Sequence, residues 1–299
     1  MIPELPTRPG AYRWFYADFT AGDFTAVAIF MVGSVFSPRY SRSWRRGARP
    51  LDHCAVNLAV YQSGVRRHWV LTEYPGARGD EHELFIGRSC FRSRADGAIE
   101  VELDDREACG GRPVRARLTL EPEVPPLAEQ RLVKGAPHFW QPLAAKAKAR
   151  FELPQDGVAL EGRGYHDTNH GEEPLGGSVP GWTWLRLHTT TDSRVGYWPR
   201  TPGGAAPALW VEAGAAGVRL LSAPPMAPMP TERTGWQLAV PSTLGLGVRP
   251  RLLESSPFYA RLEAKEGDVH SMAEVADFAR FHRADVRWMA HFRTRRAFP

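Results

Sequence analysis

Between residues 162 and 175 the chain reads Gly-Arg-Gly-Tyr-His-Asp-Thr-Asn-His-Gly-Glu-Glu-Pro-Leu, which sets an acid, a phenol, an amide and two imidazoles among glycines. In an extended segment side chains alternate faces, so Tyr165, Asp167 and Asn169 project to one side. Gly162 and Gly164 fall on the other side, where a missing side chain lets a neighbouring backbone or a ligand approach closely. A carboxyl between a phenol and an amide can hold and hand over a proton. The same row also suits a hydrogen-bonded structural corner, because buried polar groups need partners in any case. Three other pieces carry groups that could share a cavity with it. His138-Phe139-Trp140-Gln141-Pro142 puts His138 and Trp140 on one face if extended, and Trp182-Thr183-Trp184-Leu185-Arg186 does the same for both indoles and the arginine. Leu51-Asp52-His53-Cys54-Ala55-Val56-Asn57 brings an Asp-His pair and Asn57 to a strand entrance. Ten tryptophans in one chain suit a long apolar ligand as well as an ordinary core.

Other chemistries are poorly served. His166, His170, Asp167 and His138 could be imagined around a metal, but the glycines and Pro174 speak against a helix there, and no Cys pairs accompany them. No metal is therefore expected. There is no Gly-x-Ser-x-Gly elbow for a serine hydrolase, and no glycine pattern of a nucleotide loop follows a strand. The formal charge of +5 is not gathered into a basic stripe interleaved with aromatics, so nucleic acid is not an expected partner. Cys54, Cys90 and Cys109 are too few and too scattered for a disulfide framework.

The elements that must carry these residues read as strands. Gly (28) and Pro (26) are plentiful and helical periodicity is scarce before the C-terminus, which points to a mainly β chain. Strands are predicted at 12–20, 25–36, 54–61, 67–73, 99–103 and 114–120, with Ser63-Gly64 turning a hairpin. In the second half they are predicted at 149–153, 159–169, 182–188, 208–212, 218–221, 236–240, 246–253 and 258–263. A Pro-rich connection at 121–126 and a basic piece at 144–150 suggest the division. It runs as an N-terminal β-barrel or calyx-like domain over 1–145, a C-terminal one over 146–268, and an amphipathic helix over 269–299. That helix is predicted from Ser271 to about Phe292 with a break near Arg283. Its arginines make it either a helix docked on a sheet or a basic contact with a membrane surface. The opening Met-Ile-Pro-Glu-Leu-Pro has neither a basic start nor an apolar run, so a cytoplasmic location is expected.

The sequence resembles the carotenoid 1,2-hydratase (hydroxyneurosporene synthase) family along nearly its whole length. The matching pieces are Arg13 to Asp18, Val32 to Pro38, Pro50 to Tyr61, His138-x-Trp140-x-Pro142, the central 162–175 stretch, Trp182-x-Trp184-x-Arg186 and Ser256 to Arg261. The resemblance implies two lipocalin-like antiparallel β-barrel domains. It also implies cofactor-free addition of water to the terminal 1,2 double bond of an acyclic carotenoid, on a protein peripherally associated with the inner, photosynthetic membrane. It places functional roles on Asp167, Tyr165, His138 and Trp140; from the residues themselves, Asn169, Trp182, Trp184 and Asn57 are expected to bind substrate. On this reading Asp167 is the acid, Trp140 with the ring of Tyr165 faces the cation, or Tyr165 instead orients Asp167 by hydrogen bonding, and His138 holds the attacking water. Two alternatives stay open: a same-fold enzyme acting on another polyene or prenylated compound, and a non-catalytic lipocalin-like carrier of apolar ligands.

Overall fold

The computed structural model describes residues 1–221 and 230–297. Among these the chain is mainly β, with a thirteen-stranded sheet, an eight-stranded sheet and a two-stranded ribbon. In the first sheet β1 (Tyr12–Ala21), β2 (Phe24–Val32), β3 (Cys54–Gln62) and β4 (Val65–Tyr74) lie antiparallel in chain order. The Ser63-Gly64 turn between the last two has positive φ at both residues, the conformation that tight hairpins demand. β5 (His138–Leu153) and β6 (Val158–Gly171) form a long hairpin whose second strand pairs with β1.

Beyond β5 the sheet continues through strands at Pro113–Pro122, Ile99–Arg106 and Ser89–Ser93. It curls back on itself, so that Phe91 packs on Phe15 and Phe30 with ring centroids 5.2 and 5.9 Å apart. The inside of the curl is one apolar core, to which β1 contributes Phe15, Ala17 and Phe19. The glycine face of β6 turns toward it. A Cβ at Gly164 would collide with Leu120 and with the carbonyl oxygen of Asp18, so the close packing of β6 depends on its absence.

The second sheet is centred on β7 (Gly181–His188), which lies between β8 (Ser193–Thr201) and the strand Val269–Asp277. With β9 (Tyr259–Glu266) and β10 (Val269–Asp277) it presents one face to the outer face of the first sheet. The two faces meet in aromatic contacts: Trp14 stacks with Trp182 at 5.8 Å, and Tyr16 packs on Trp184 at 5.3 Å. Burying rings of this size is worth about 1.5–3 kcal/mol each, which makes this seam the main bond between the sheets.

Two expectations need correcting. The break expected at 145/146 falls inside β5, a continuous strand, and the change of sheet comes between Gly171 and Gly181. The reason is that β5 and β6 extend the first sheet alongside β1 and do not open a second one. The helix expected from Ser271 is a strand as far as Asp277. Both of its faces are covered, Ala273 and Val275 by the second sheet's own core and Met272 and Ala276 by the seam. A strand buried on both sides loses its alternation, and here its apolar residues happen to fall at helical spacing. The helix proper is two short pieces, Phe278–Phe281 and α1 (Ala284–Arg293), with the expected break at Arg283 in extended conformation. None of the described helices is long and apolar enough to cross a membrane.

Candidate active site

The cavity of interest lies between the two sheets and, counting the part open to solvent, spans about 470 Å³. β1 and β6 run antiparallel with Tyr16 opposite Asp167 and Trp14 opposite Asn169, and all four side chains line the cavity from the first sheet. From the second sheet Trp182, Trp184, Tyr197, Tyr259 and Glu274 face them. The wall is therefore aromatic, with two carboxyl groups set into it.

Asp167 is 3% exposed. Its Oδ2 accepts from Tyr165 OH at 2.7 Å and from Trp140 Nε1 at 2.8 Å, while Asn169 Nδ2 lies 3.4 Å from Oδ1. Burial pushes the carboxyl up to about 7, against the pull of the two donors on Oδ2; the charges of Glu274 and Asp18 push it further up. With Oδ2 engaged as a double acceptor and Oδ1 met only by the longer Asn169 contact, Oδ1 is the oxygen freer to carry a proton. A carboxyl that stays protonated near neutral pH at an apolar wall can act as an acid toward a neutral, weakly basic ligand.

The residues singled out in the sequence divide three ways. Asp167, Asn169, Trp182 and Trp184 line the cavity. Tyr165 and Trp140, both fully buried, stand behind Asp167 and aim their polar edges at its carboxyl; they are donors to the acid and not faces of the cavity. His138 lies outside the lining. Tyr12 OH sits 2.8 Å from its Nδ1, Ser178 Oγ 3.1 Å and Glu173 Oε1 3.4 Å from its Nε2, and burial lowers its basicity against the pull of Glu173. Asn57 lines a neighbouring cavity of about 500 Å³, where its Nδ2 donates to the carbonyl of Val70 at 2.6 Å. The two cavities share Ile29, Phe36 and Tyr259, and the second reaches Ala290, Arg293 and Thr294 at the end of α1.

His166 and His170 do not converge on Asp167. His166 projects to the opposite face and bonds the carbonyl of Tyr16 at 2.7 Å, and His170 pairs with Glu129 at 2.7 Å. Sequence reasoning missed Tyr16, Tyr197, Tyr259 and Glu274 as lining groups. Tyr16 and Tyr259 sat in segments already noted for their resemblance, whereas Glu274 was hidden in the segment read as helix.

The site is thus a hollow between two apposed β walls, lined mainly by aromatic rings and holding a buried carboxyl whose proton affinity burial raises. The carotenoid hydratase CrtC family model matches residues 28–298, and the chain belongs to this family. It is 33% identical over 269 residues to the acyclic carotenoid 1,2-hydratase of Thiocapsa roseopersicina, a match covering 86% of this chain and 65% of that protein. It is 31% identical over 282 residues to the acyclic carotenoid 1,2-hydratase of Rubrivivax gelatinosus, with 88% and 67% covered. The chain thus spans about two thirds of the length of these relatives. Among solved structures, an AttH protein from Nitrosomonas europaea superposes with a TM-score of 0.62 at 14% identity over 89% of this chain and 92% of that one, a likeness of fold.

Proposed function

We propose that the chain hydrates the terminal 1,2 double bond of an acyclic carotenoid by protonation from Asp167, without a cofactor. The observation that carries this reading is a buried carboxyl, lifted to about 7 by its burial, at the wall of an aromatic cavity in a chain of the carotenoid hydratase family. An isolated alkene is a very weak base, so it needs an acid that water has not levelled and that is aimed at one carbon. Asp167 Oδ1 delivers its proton to C2 and leaves a tertiary cation at C1. The rings of Tyr16, Trp182 and Trp184 face that charge, and each cation–π contact in a desolvated site is worth about 2 kcal/mol. Water then adds at C1. Trp140 and Tyr165 hold the conjugate carboxylate as it forms, and His138 takes no step, bracing the wall behind them through Tyr12.

The polyene tail runs into the second cavity, along the apolar and aromatic part of its lining (Ile29, Phe36, Trp69, Leu71, Phe258), with Asn57, Glu254, Ser256, Arg261, Arg293 and Thr294 forming its polar part. That cavity ends at α1, where Trp288 and Phe292 are 61% and 66% exposed with their rings 4.7 Å apart. We place a peripheral membrane contact there, so that an apolar substrate passes from the bilayer into the seam without crossing water. We further read the two sheets as the walls of two lipocalin-like units that share the site. Incubating the protein with lycopene or neurosporene in detergent, followed by mass spectrometry, tests the reading. A gain of one water is expected. Unchanged pigment that co-purifies would instead make the chain a carrier.

The donors on Oδ2 give a second test. Both favour the ionised form, so removing one should strengthen the proton's hold on Asp167. In Trp140→Phe the alkaline decline of the hydration rate, expected near pH 7 in the wild type, should move up by about one pH unit, the equivalent of one hydrogen bond to a charged group. A pH–rate profile with that limb unmoved or moved down would show that the indole does not hold the carboxylate.

A further inference from the structure

We propose that Glu274 is the base that takes the proton from the attacking water, so that hydration here uses two carboxyl groups with opposite tasks. The proposal rests on the reading of Asp167 as the acid and assigns the other half of the reaction. Glu274 lies on β10, directly between Trp184 of β7 and Arg261 of β9 in the register of the second sheet. It lines the cavity from the wall opposite Asp167, and among the described residues these are the only two carboxyl groups in the lining.

The setting of Glu274 differs from that of Asp167 in kind. Arg261, 1% exposed, donates from Nε to Glu274 Oε1 at 2.9 Å, and its Nη1 lies 3.0 Å from Tyr61 OH and 3.4 Å from Glu254 Oε2. A buried guanidinium fixed in this way favours a carboxylate beside it. Among the described residues only Oε1 of Glu274 has a hydrogen-bond partner, which leaves Oε2 for a water in the cavity. The other polar groups of the lining are poor acceptors of a proton. Burial raises the phenols of Tyr16, Tyr197 and Tyr259 well above their ordinary value, so they stay neutral, and Asn169 is an amide. The negative charge at Glu274 is also felt at Asp167, where it adds to burial in keeping that group protonated. A buried carboxyl on one wall and a carboxyl paired with a guanidinium on the other form the geometry that a general acid and a general base can share.

The step balances. The C1–C2 π bond takes the Asp167 proton at C2. The water oxygen bonds to C1 as its O–H bond breaks, and that proton goes to Glu274. Transfer of one proton from Glu274 to Asp167 through cavity water restores the starting state. The rival course has the Asp167 carboxylate recover the proton itself, with Glu274 serving only as the partner of Arg261.

Glu274→Gln, assayed with an acyclic carotenoid in detergent made up in D2O, separates them. The variant should lose hydration by about a hundredfold or more. Its Asp167 still delivers a deuteron to C2, and the uncaptured cation returns to alkene as the Asp167 carboxylate takes a hydron from C2 or from a methyl on C1, the latter leaving the label in place. Substrate and its terminal-methylene isomer recovered from it should therefore carry deuterium at C2, while Asp167→Asn should give neither product nor deuterium. Hydration within threefold of wild type overturns the role of Glu274 and leaves Asp167 as the acid. Loss of both hydration and deuterium uptake, with carotenoid still bound by absorption titration, also overturns it. Should Glu274→Gln not fold, Glu274→Asp keeps the charge beside Arg261 and withdraws the carboxylate by one methylene. Slowed hydration with deuterium uptake retained then supports the base, and an unchanged rate overturns it.

Discussion

Asp167→Asn should abolish water addition, lowering it by about a thousandfold, while carotenoid binding by absorption titration stays within a few-fold of wild type. The amide keeps the shape of the carboxyl and the donors Trp140 and Tyr165 keep an acceptor, but no acidic proton is left to place on carbon. Hydration at the wild-type rate in this variant would end the acid role. The wild-type enzyme should depend on pH in the matching sense. Asp167 must be protonated to act and lies at about 7, so the rate should fall tenfold per pH unit above that pH. The same raised value bears on stability with a definite sign. Between about pH 4 and pH 7 the folded chain holds a proton on Asp167 that the unfolded chain has released, so stability declines as pH rises through that window. Asparagine does not titrate. The variant should lose that part of the decline, and equilibrium unfolding at pH 5 and pH 8 checks it.

Much of the scaffold could be read from residue pattern alone, for reasons that also explain the errors. The strands at 99–106 and 113–122 alternate apolar and charged residues because one face is wet, and they were found almost to the residue. β6 was found because Tyr165, Asp167 and Asn169 sit opposite two glycines whose absent side chains the packing uses. Alternation fails where both faces are covered. That is why Val269–Asp277 passed for helix and why β8, with Val195, Tyr197 and Pro199 buried on one face and a half-buried Trp198 on the other, went unnoticed. The placing of Tyr165, Asp167 and Asn169 on one face of a strand was legible; that Asp167 lines a cavity was not, because the same row suits a structural corner. Nor were its surroundings. Whether Trp140 offers its face or its N–H edge is decided by the register of β5 on β6, which places Trp140 across from Asn169 after a bulge that local sequence does not announce. The lining from the second sheet depends on how two faces meet across a seam, and no spacing within one strand encodes that.

Arg186→Met should cost about 3–5 kcal/mol of stability at pH 8, the typical penalty for stripping one partner from a buried ion pair. Arg186 Nε donates to Asp18 Oδ2 at 2.9 Å across the seam from β7 to β1, and neither side chain reaches solvent. The pair is imperfectly served: Nη1 and Nη2 of Arg186 and Oδ1 of Asp18 have no hydrogen-bond partner among the described residues. Burial accordingly outweighs the guanidinium and lifts Asp18 to about 6. Without Arg186 the carboxyl can stay buried only by taking up a proton, which becomes harder as pH rises above the ordinary carboxylate range. The loss should therefore be smaller at pH 5 than at pH 8 in urea unfolding, and a loss below about 1 kcal/mol at pH 8 would mean that the pair does not hold the seam. Asp18→Asn combined with Arg186→Met removes both charges and should recover most of the stability. It should recover hydration as well. Tyr16 lines the cavity and donates to Asp18 at 3.2 Å, and the amide oxygen that replaces the carboxylate still accepts from it. The wall facing Asp167 is thereby restored without the ions. The single variant would then be shown to fail through the uncompensated charge it leaves at Asp18, and the pair itself to be dispensable for the way the two sheets meet.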